Sequence, residues 1–331
     1  MIEKKLRNLV ISGVGYKIRK DGNLVSVRSN EGETIRFSPR EIEQLIITGE
    51  ASISSGTVKL LIENGVDLVF VTHRPNFFAR VMTMDDTRIT DLWKRQILLD
   101  DSEALFIAQE MVDSSIYNKL RLLKITDRNR NLGLSVHIER LEAMREEVFS
   151  TKDREQLMGK EGASAREYFA ALSVILPDRF GFTKRIKHPP TDPINSMLSY
   201  GYTVLASRVE YSLMLAGLNP YEGVLHSVYR NRRSLTYDLI EEFRQPIVDR
   251  VVMTLAGRGT VAPEDFEMSG DMCMFKDPAK KVYLNALYQR MEEKHNYEGE
   301  SIPFLDIIYK QAKALAESIE NGILYRGFKW R

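Results

Sequence analysis

One cysteine in 331 residues rules out an internal disulfide, and no cysteine pair exists to hold zinc. Cys273 lies between Met272 and Met274, surroundings that favour packing over nucleophilic attack. Long hydrophobic runs are missing as well: no stretch of about 18 apolar residues occurs, so no membrane span is expected. The opening MIEKKLRNLVISG has too short an apolar stretch, and no small-residue cleavage site, for a secretory signal. A reducing, cytoplasmic location is therefore the expectation. Charge of one sign is not in excess either. The 47 basic and 46 acidic residues leave a net charge of +1, so any nucleic-acid binding must come from a local patch. The early Gly13-Val14-Gly15 lacks the third glycine and following helix of a dinucleotide fold. Phosphate-loop, zinc-helix and nucleophile-elbow motifs are absent.

What is present divides near residue 86. Before it, short β-branched or alternating runs are separated by turns: Leu6 to Ser12, Asn23 to Ser29 and Glu33 to Ser38, with Asp21-Gly22 and Glu31-Gly32 between them. EIEQLIITG, SSGTVKLLIENG and VDLVFVTH then read as strand, helix and strand, and Ala79 to Met84 as a closing strand. After about Arg88, apolar residues recur at three- and four-residue spacing. Helices are predicted over 90–112, 115–125, 132–150, 154–175, 193–216, 237–255 (interrupted at Pro246), 280–294 and 303–321. The expected fold is α+β: a small β-rich domain, 1–86, followed by a larger all-α domain, 87–331.

The segment HSVYRNRRSLTYDLIEEF, His226 to Phe243, carries the most chemistry. On a helix, Asp238 and Glu241 share one face a turn apart. An imidazole beside two carboxylates is a nitrogen-and-oxygen ligand set for Mg²⁺ or Mn²⁺. Arg230, Arg232 and Arg233 lie between them, and a phosphate needs such cations where a metal does not. The alternative is a surface histidine with ordinary helix-start acids. Upstream, Glu161 sits in GKEGASAREYFAAL among small residues that would let another helix approach. It could equally be a first-turn acid beside a glycine-marked loop. Asn195, Ser199 and Tyr202 share a helix face, either orienting a ligand through hydrogen bonds or facing solvent.

The order GKEGASAREYFAAL, DPINSMLSYGYTVL, GLNPYEGVLHSVYRNRRSLTYDLIEEFR resembles the universal CRISPR-associated adaptation integrase family, whose members insert new spacers into CRISPR arrays. The likeness runs essentially end to end. The early EIEQLIITGEASISSGTVKLLIENGVDLVFV is similar to that family's N-terminal β domain, and AESIENGILYRGFKWR to its C-terminus. Position by position, the resemblance implies metal ligands at Glu161, His226 and Glu241, with Asp238 a near neighbour of the metal. Glutamate stands at 241 where several members use aspartate, which keeps an oxygen donor but moves it by a methylene. Asn195 and Tyr202 match the polar helix of the second motif, and Arg244 the arginine after the acidic pair. A homodimer built through the β domain, and a small ferredoxin-like CRISPR partner protein, are further implications.

The implied reaction is metal-dependent cleavage and transesterification of double-stranded or branched DNA, with catalysis carried by Glu161, His226 and Glu241. DNA contacts are expected from Lys184, Arg185 and Lys187, from Arg230, Arg232 and Arg233, and from Arg244. A further basic run comprises Lys119, Arg121, Lys124, Arg128 and Arg130. Solvated charged faces are the plain alternative for each cluster. Two other functions fit: a mobile-element integrase or branched-DNA repair nuclease, and a catalytically silent DNA-binding scaffold. The intact ligand set argues against the scaffold.

Overall fold

The structure is a computed structural model that describes residues 2–5, 8–11, 13–42, 44–47, 49–71, 77–81, 88–226 and 232–331. The chain forms two compact units, Met1–Asp91 and Leu92–Arg331. Among the described residues no helix is long and apolar enough to cross a membrane.

The first unit holds β1 (Ile2–Lys5), β2 (Asn8–Ile11), β3 (Val14–Asp21), β4 (Leu24–Arg28), β5 (Thr34–Phe37), β6 (Gln44–Ile47), β7 (Glu50–Ile53), α1 (Ser55–Glu63), β8 (Asp67–Val71) and β9 (Phe77–Val81). Two sheets result, ordered β1-β2-β6-β8-β9 and β5-β4-β3-β7. Period-two alternation buries Val25 and Val27 of β4 while Leu24 and Arg28 stay exposed. Ile11, Ile18, Leu45, Leu61 and Leu68 join them in one core drawn from both sheets and α1. Strand β3 escapes a pattern reading because Ile18 is its one buried residue. Its hydrogen-bonded neighbours β4 and β7 hold it in place of an apolar face.

The second unit follows the sequence expectation of a helical body and adds two hairpins. Its elements are α2 (Arg88–Ile97, which spans the division between units), α3 (Asp101–Arg130), α4 (Ser135–Glu146), α5 (Arg154–Ile175), α6 (Pro193–Leu215), α7 (Ser234–Leu239), α8 (Arg250–Arg258), β10 (Phe266–Ser269), β11 (Met272–Phe275), α9 (Asp277–Glu292), β12 (Lys294–Tyr297), β13 (Glu300–Pro303) and α10 (Phe304–Asn321). Helix α3 is one continuous element where the sequence pattern predicts two. The polar run Asp113, Ser114, Ser115 reads as a break, yet all three are buried inside the helix. Asp113 binds Arg145 and Lys329, and Ser115 faces Glu241, so burial leaves Asp113 and Ser115 partnered.

Between α7 and α8 the backbone passes through a tight 3₁₀ turn, Ile240–Glu242, and a wide π-helical segment, Arg244–Asp249. Pro246 lies inside the latter. With no N–H to give to an α-helical ladder, it is accommodated by the wider turn. This irregular stretch is where the predicted ligand Glu241 sits.

Candidate functional site

Asp238 is fully buried and organises the site from below. The N–H groups of Val224 and Leu225 donate to its Oδ2 at 2.7 and 3.0 Å, and the His226 N–H to its Oδ1 at 3.2 Å. The same Oδ1 lies 2.6 Å from His226 Nδ1. Such a carboxylate fixes the imidazole with its proton on Nδ1, leaving the Nε2 lone pair for a ligand. The hydrogen bond to Asp238 raises the His226 pKa against the opposing effect of burial, and Asp238 and Glu241 add attraction. Wrapping residues 224–226 around one carboxylate demands a close approach at Gly223. A β-carbon there would meet Asp238 Oδ2 and Ser234 Cβ at 2.7 Å, and the His226 carbonyl at 2.8 Å.

Glu241, 4 % exposed, sits in the 3₁₀ turn. Its Oε1 is 2.7 Å from Arg244 Nη1, and Ser115 Oγ approaches Oε2 at 3.4 Å. Arg244 is not the surface cation that DNA contact would suggest: its side chain is 19 % exposed and its guanidinium covers the Tyr202 ring at 4.8 Å. Burial works against its charge, but Glu241, Tyr202, Glu161 and Asp249 outweigh that and raise its pKa. Glu161 and Glu241 therefore act on one partly buried guanidinium.

Glu161 lies in the second turn of the regular helix α5, half-buried, neither a first-turn acid nor in a loop. Its flanking glycines are not forced by packing. A β-carbon at Gly159 meets nothing within 4 Å, and one at Gly162 meets only the Arg166 side chain at 3.7 Å. Ser164 Oγ donates to the Glu161 carbonyl at 2.8 Å and accepts from Lys119 Nζ at 3.2 Å. Lys119 is 2 % exposed and one helical turn from Ser115, so α3 runs from the Glu241 contact to the Glu161 turn. This corrects the reading of Lys119 as part of a basic surface. In the same run, Lys124 pairs with Glu142 and Arg130 donates to the Ile175 carbonyl.

Tyr202 and Asn195 have definite partners. The hydroxyls of Tyr202 and Tyr168 donate to the two oxygens of buried Asp249 at 2.6 and 2.8 Å, tying α5, α6 and the π segment together. Burial raises the Asp249 pKa to about 6 although the tyrosines and Arg244 pull it down. Asn195, fully buried, accepts from Ile186 N and Arg185 Nη1 at 2.9 Å and donates to the Lys184 carbonyl at 2.9 Å. It shapes the 184–186 loop. Arg185 is spent there too, also donating to Ser199 Oγ at 3.0 Å, and burial lowers its pKa. Lys184 and Lys187 remain exposed. Arg232 is exposed beside the Tyr237 ring, itself 41 % exposed. Arg233 pairs with Glu210 at 2.9 Å. Arg230 lies outside the described residues. Cys273 is buried, and burial raises its thiol pKa.

For a divalent cation the donor chemistry fits: His226 offers Nε2, and Glu161 and Glu241 offer carboxylate oxygens around a shared field. Among the described residues, no three His, Cys, Asp or Glu side chains already enclose a metal position. Glu241 is turned to Arg244 instead. Gly223, Ser115, Tyr168 and Asp249 were not legible as site residues, and Lys119 was legible only as a surface cation, since each acts through a contact distant in sequence.

The family model for CRISPR associated protein Cas1 matches residues 9–289. A CRISPR-associated endonuclease Cas1 from Methanospirillum hungatei is 32% identical over 98% of this chain and 100% of its own length. One from Archaeoglobus fulgidus is 29% identical over 97% and 99%. Among solved structures, a casposase bound to integration product superposes with a TM-score of 0.81 at 22% identity, covering 95% of this chain and 96% of that one. The Cas1 protein of Thermotoga maritima superposes with a TM-score of 0.78 at 18% identity, covering 96% and 99%. With the family's pattern matched over most of its length, this chain belongs to the CRISPR associated protein Cas1 family.

Proposed function

We propose that this chain is a metal-dependent DNA endonuclease and integrase that inserts spacer DNA into CRISPR arrays by transesterification. The observation that carries the reading is the Asp238-held His226, whose imidazole is also attracted by the neighbouring Glu241. Relatives named as CRISPR-associated endonucleases support it over nearly the full chain.

Glu161, His226 and Glu241 would hold Mg²⁺ or Mn²⁺, which when bound supplies Lewis-acid polarisation of the scissile phosphate. Asp238 keeps the imidazole oriented and its Nδ1 proton in place. Arg244, freed from part of its pairing with Glu241, would offer a partly buried cation to charge developing on the phosphate. Arg232, exposed, supplies a backbone phosphate contact. In strand transfer, a DNA 3′-OH attacks phosphorus and loses its proton, one P–O bond forms, and the bond to the target's 3′-oxygen breaks. That oxygen takes up a proton, so phosphodiester bonds are conserved and no nucleotide need be hydrolysed. Water as nucleophile gives cleavage at the same site. A homodimer through the first unit and a small ferredoxin-like partner complete the proposed assembly; the likeness to the structure of a partial Cas6-RT-Cas1–Cas2 complex is consistent with it.

The casposase likeness favours one second reading, a mobile-element integrase. Integration assays with short duplexes and Mg²⁺ or Mn²⁺ separate the two. Preferential insertion at the borders of a CRISPR repeat, abolished by chelation, is expected. Equal insertion into targets lacking a repeat would move the chain to the second reading, and transfer in full chelator would remove the metal.

A further inference from the structure

Residues 322–331, after α10, form a strap without regular secondary structure that ends in the helical core. Its tip is buried: Tyr325 is 1 % exposed, Phe328 4 % and Trp330 8 %. What the strap grips is Glu242, the neighbour of Glu241. Tyr325 OH donates to Glu242 Oε1 at 2.6 Å, and the Phe328 N–H to Oε2 at 2.8 Å. Gln311 Nε2 of α10 adds a third bond at 2.9 Å. Asn118 of α3 clamps both partners, donating to the Glu242 carbonyl at 2.8 Å and the Phe328 carbonyl at 3.0 Å, while accepting from Trp330 N at 2.8 Å. Phe243 and Phe328 stack with centroids 5.1 Å apart. The strap backbone lies so close to α3 that a β-carbon at Gly327 would overlap Ser114 Oγ.

A fully buried carboxylate is costly, and an apolar residue could pack against Phe243 and Phe328 without that cost. The carboxylate instead fixes direction. Successive residues of a 3₁₀ turn point about 120° apart. With Glu242 fastened to the strap, Glu241 is turned toward Ser115 and Arg244. Asn118 and Ser115, three residues apart on α3, hold the two sides of the turn at once.

We propose that Tyr325 and Phe328 of the C-terminal strap, through Glu242, are positioning residues that fix the turn carrying Glu241 and so keep its carboxylate within reach of the active site, beside Ser115 and Arg244. The proposal rests on the reading of Glu241 as a metal ligand. It places control of the site in residues 322–331, so a partner that lifts the strap would disarm the carboxylate without touching it.

The full-length protein, stripped of metal, is titrated with Mn²⁺ and free ion is read by electron paramagnetic resonance. Glu241→Ala marks the site, and Tyr325→Phe removes the hydroxyl's bonds to Glu242 and Gln311 while keeping the buried ring. Leu141→Ala, in the α4 core, serves as a control for general destabilisation. Tyr325→Phe should weaken Mn²⁺ binding by about tenfold, with the melting temperature lowered less than by Leu141→Ala, whose Mn²⁺ affinity stays at the wild-type value. If Glu241→Ala removes binding but Tyr325→Phe leaves it intact, the positioning role is overturned and the metal reading stands. The positioning role is overturned equally if Leu141→Ala weakens binding as much as Tyr325→Phe does. If Glu241→Ala leaves Mn²⁺ binding unchanged, the metal reading falls and takes this proposal with it.

Discussion

At the scale of single residues, the account turns on what Asp238 does. It accepts three backbone N–H groups and the His226 ring, so its role is to orient, and a neutral amide cannot reproduce that. Asp238→Asn should lower activity by about 10–100-fold while leaving DNA binding in place. Gly223→Ala tests the same arrangement from the backbone side, because its methyl would push on Asp238 and His226. It should cost about 1–3 kcal/mol in denaturant unfolding and lose activity beyond what that destabilisation explains. A fully active, equally stable Gly223→Ala protein would mean that the 223–226 wrap is loose.

At the scale of elements, β2, β4 and helices such as 154–175 were legible because their apolar spacing matches burial on one side. Where burial depends on polar partners from elsewhere, spacing fails. The buried polar run of α3 and the π segment at Pro246 are the clearest cases. The family likeness brought out Glu161, His226 and Glu241, whereas Lys119 reads as a surface cation and Arg185 as a DNA contact until their partners are known. The Asp249 network gives a prediction at this scale. Its folded pKa, about 6, lies above the ordinary 3.8. Its contribution to stability is therefore complete below the lower value and lost as pH rises through the higher one. Relative to Asp249→Asn, the wild type should lose about 3 kcal/mol across that window. Parallel pH profiles of denaturant unfolding check this; identical profiles would show that Asp249 titrates normally.

For the whole molecule, near-zero net charge means that DNA, on the proposed function, would have to be held by local cations, which differ in exposure and pairing. Arg232 is exposed, whereas Arg233 is engaged by Glu210 and Arg244 by Glu241. Arg232→Ala should reduce the log–log salt slope of duplex binding by about 0.9, with Arg233→Ala reducing it less. Equal slopes for wild type and Arg232→Ala would leave that arginine as solvated surface. The central claim, that one metal site built by two carboxylates and a histidine serves both water and a DNA 3′-OH, is tested most directly by Glu161→Ala. Nicking, strand transfer and binding are measured in parallel on a repeat-containing duplex. Both activities should fall together by on the order of 10²-fold or more with binding retained; strand transfer at the wild-type rate would contradict the account.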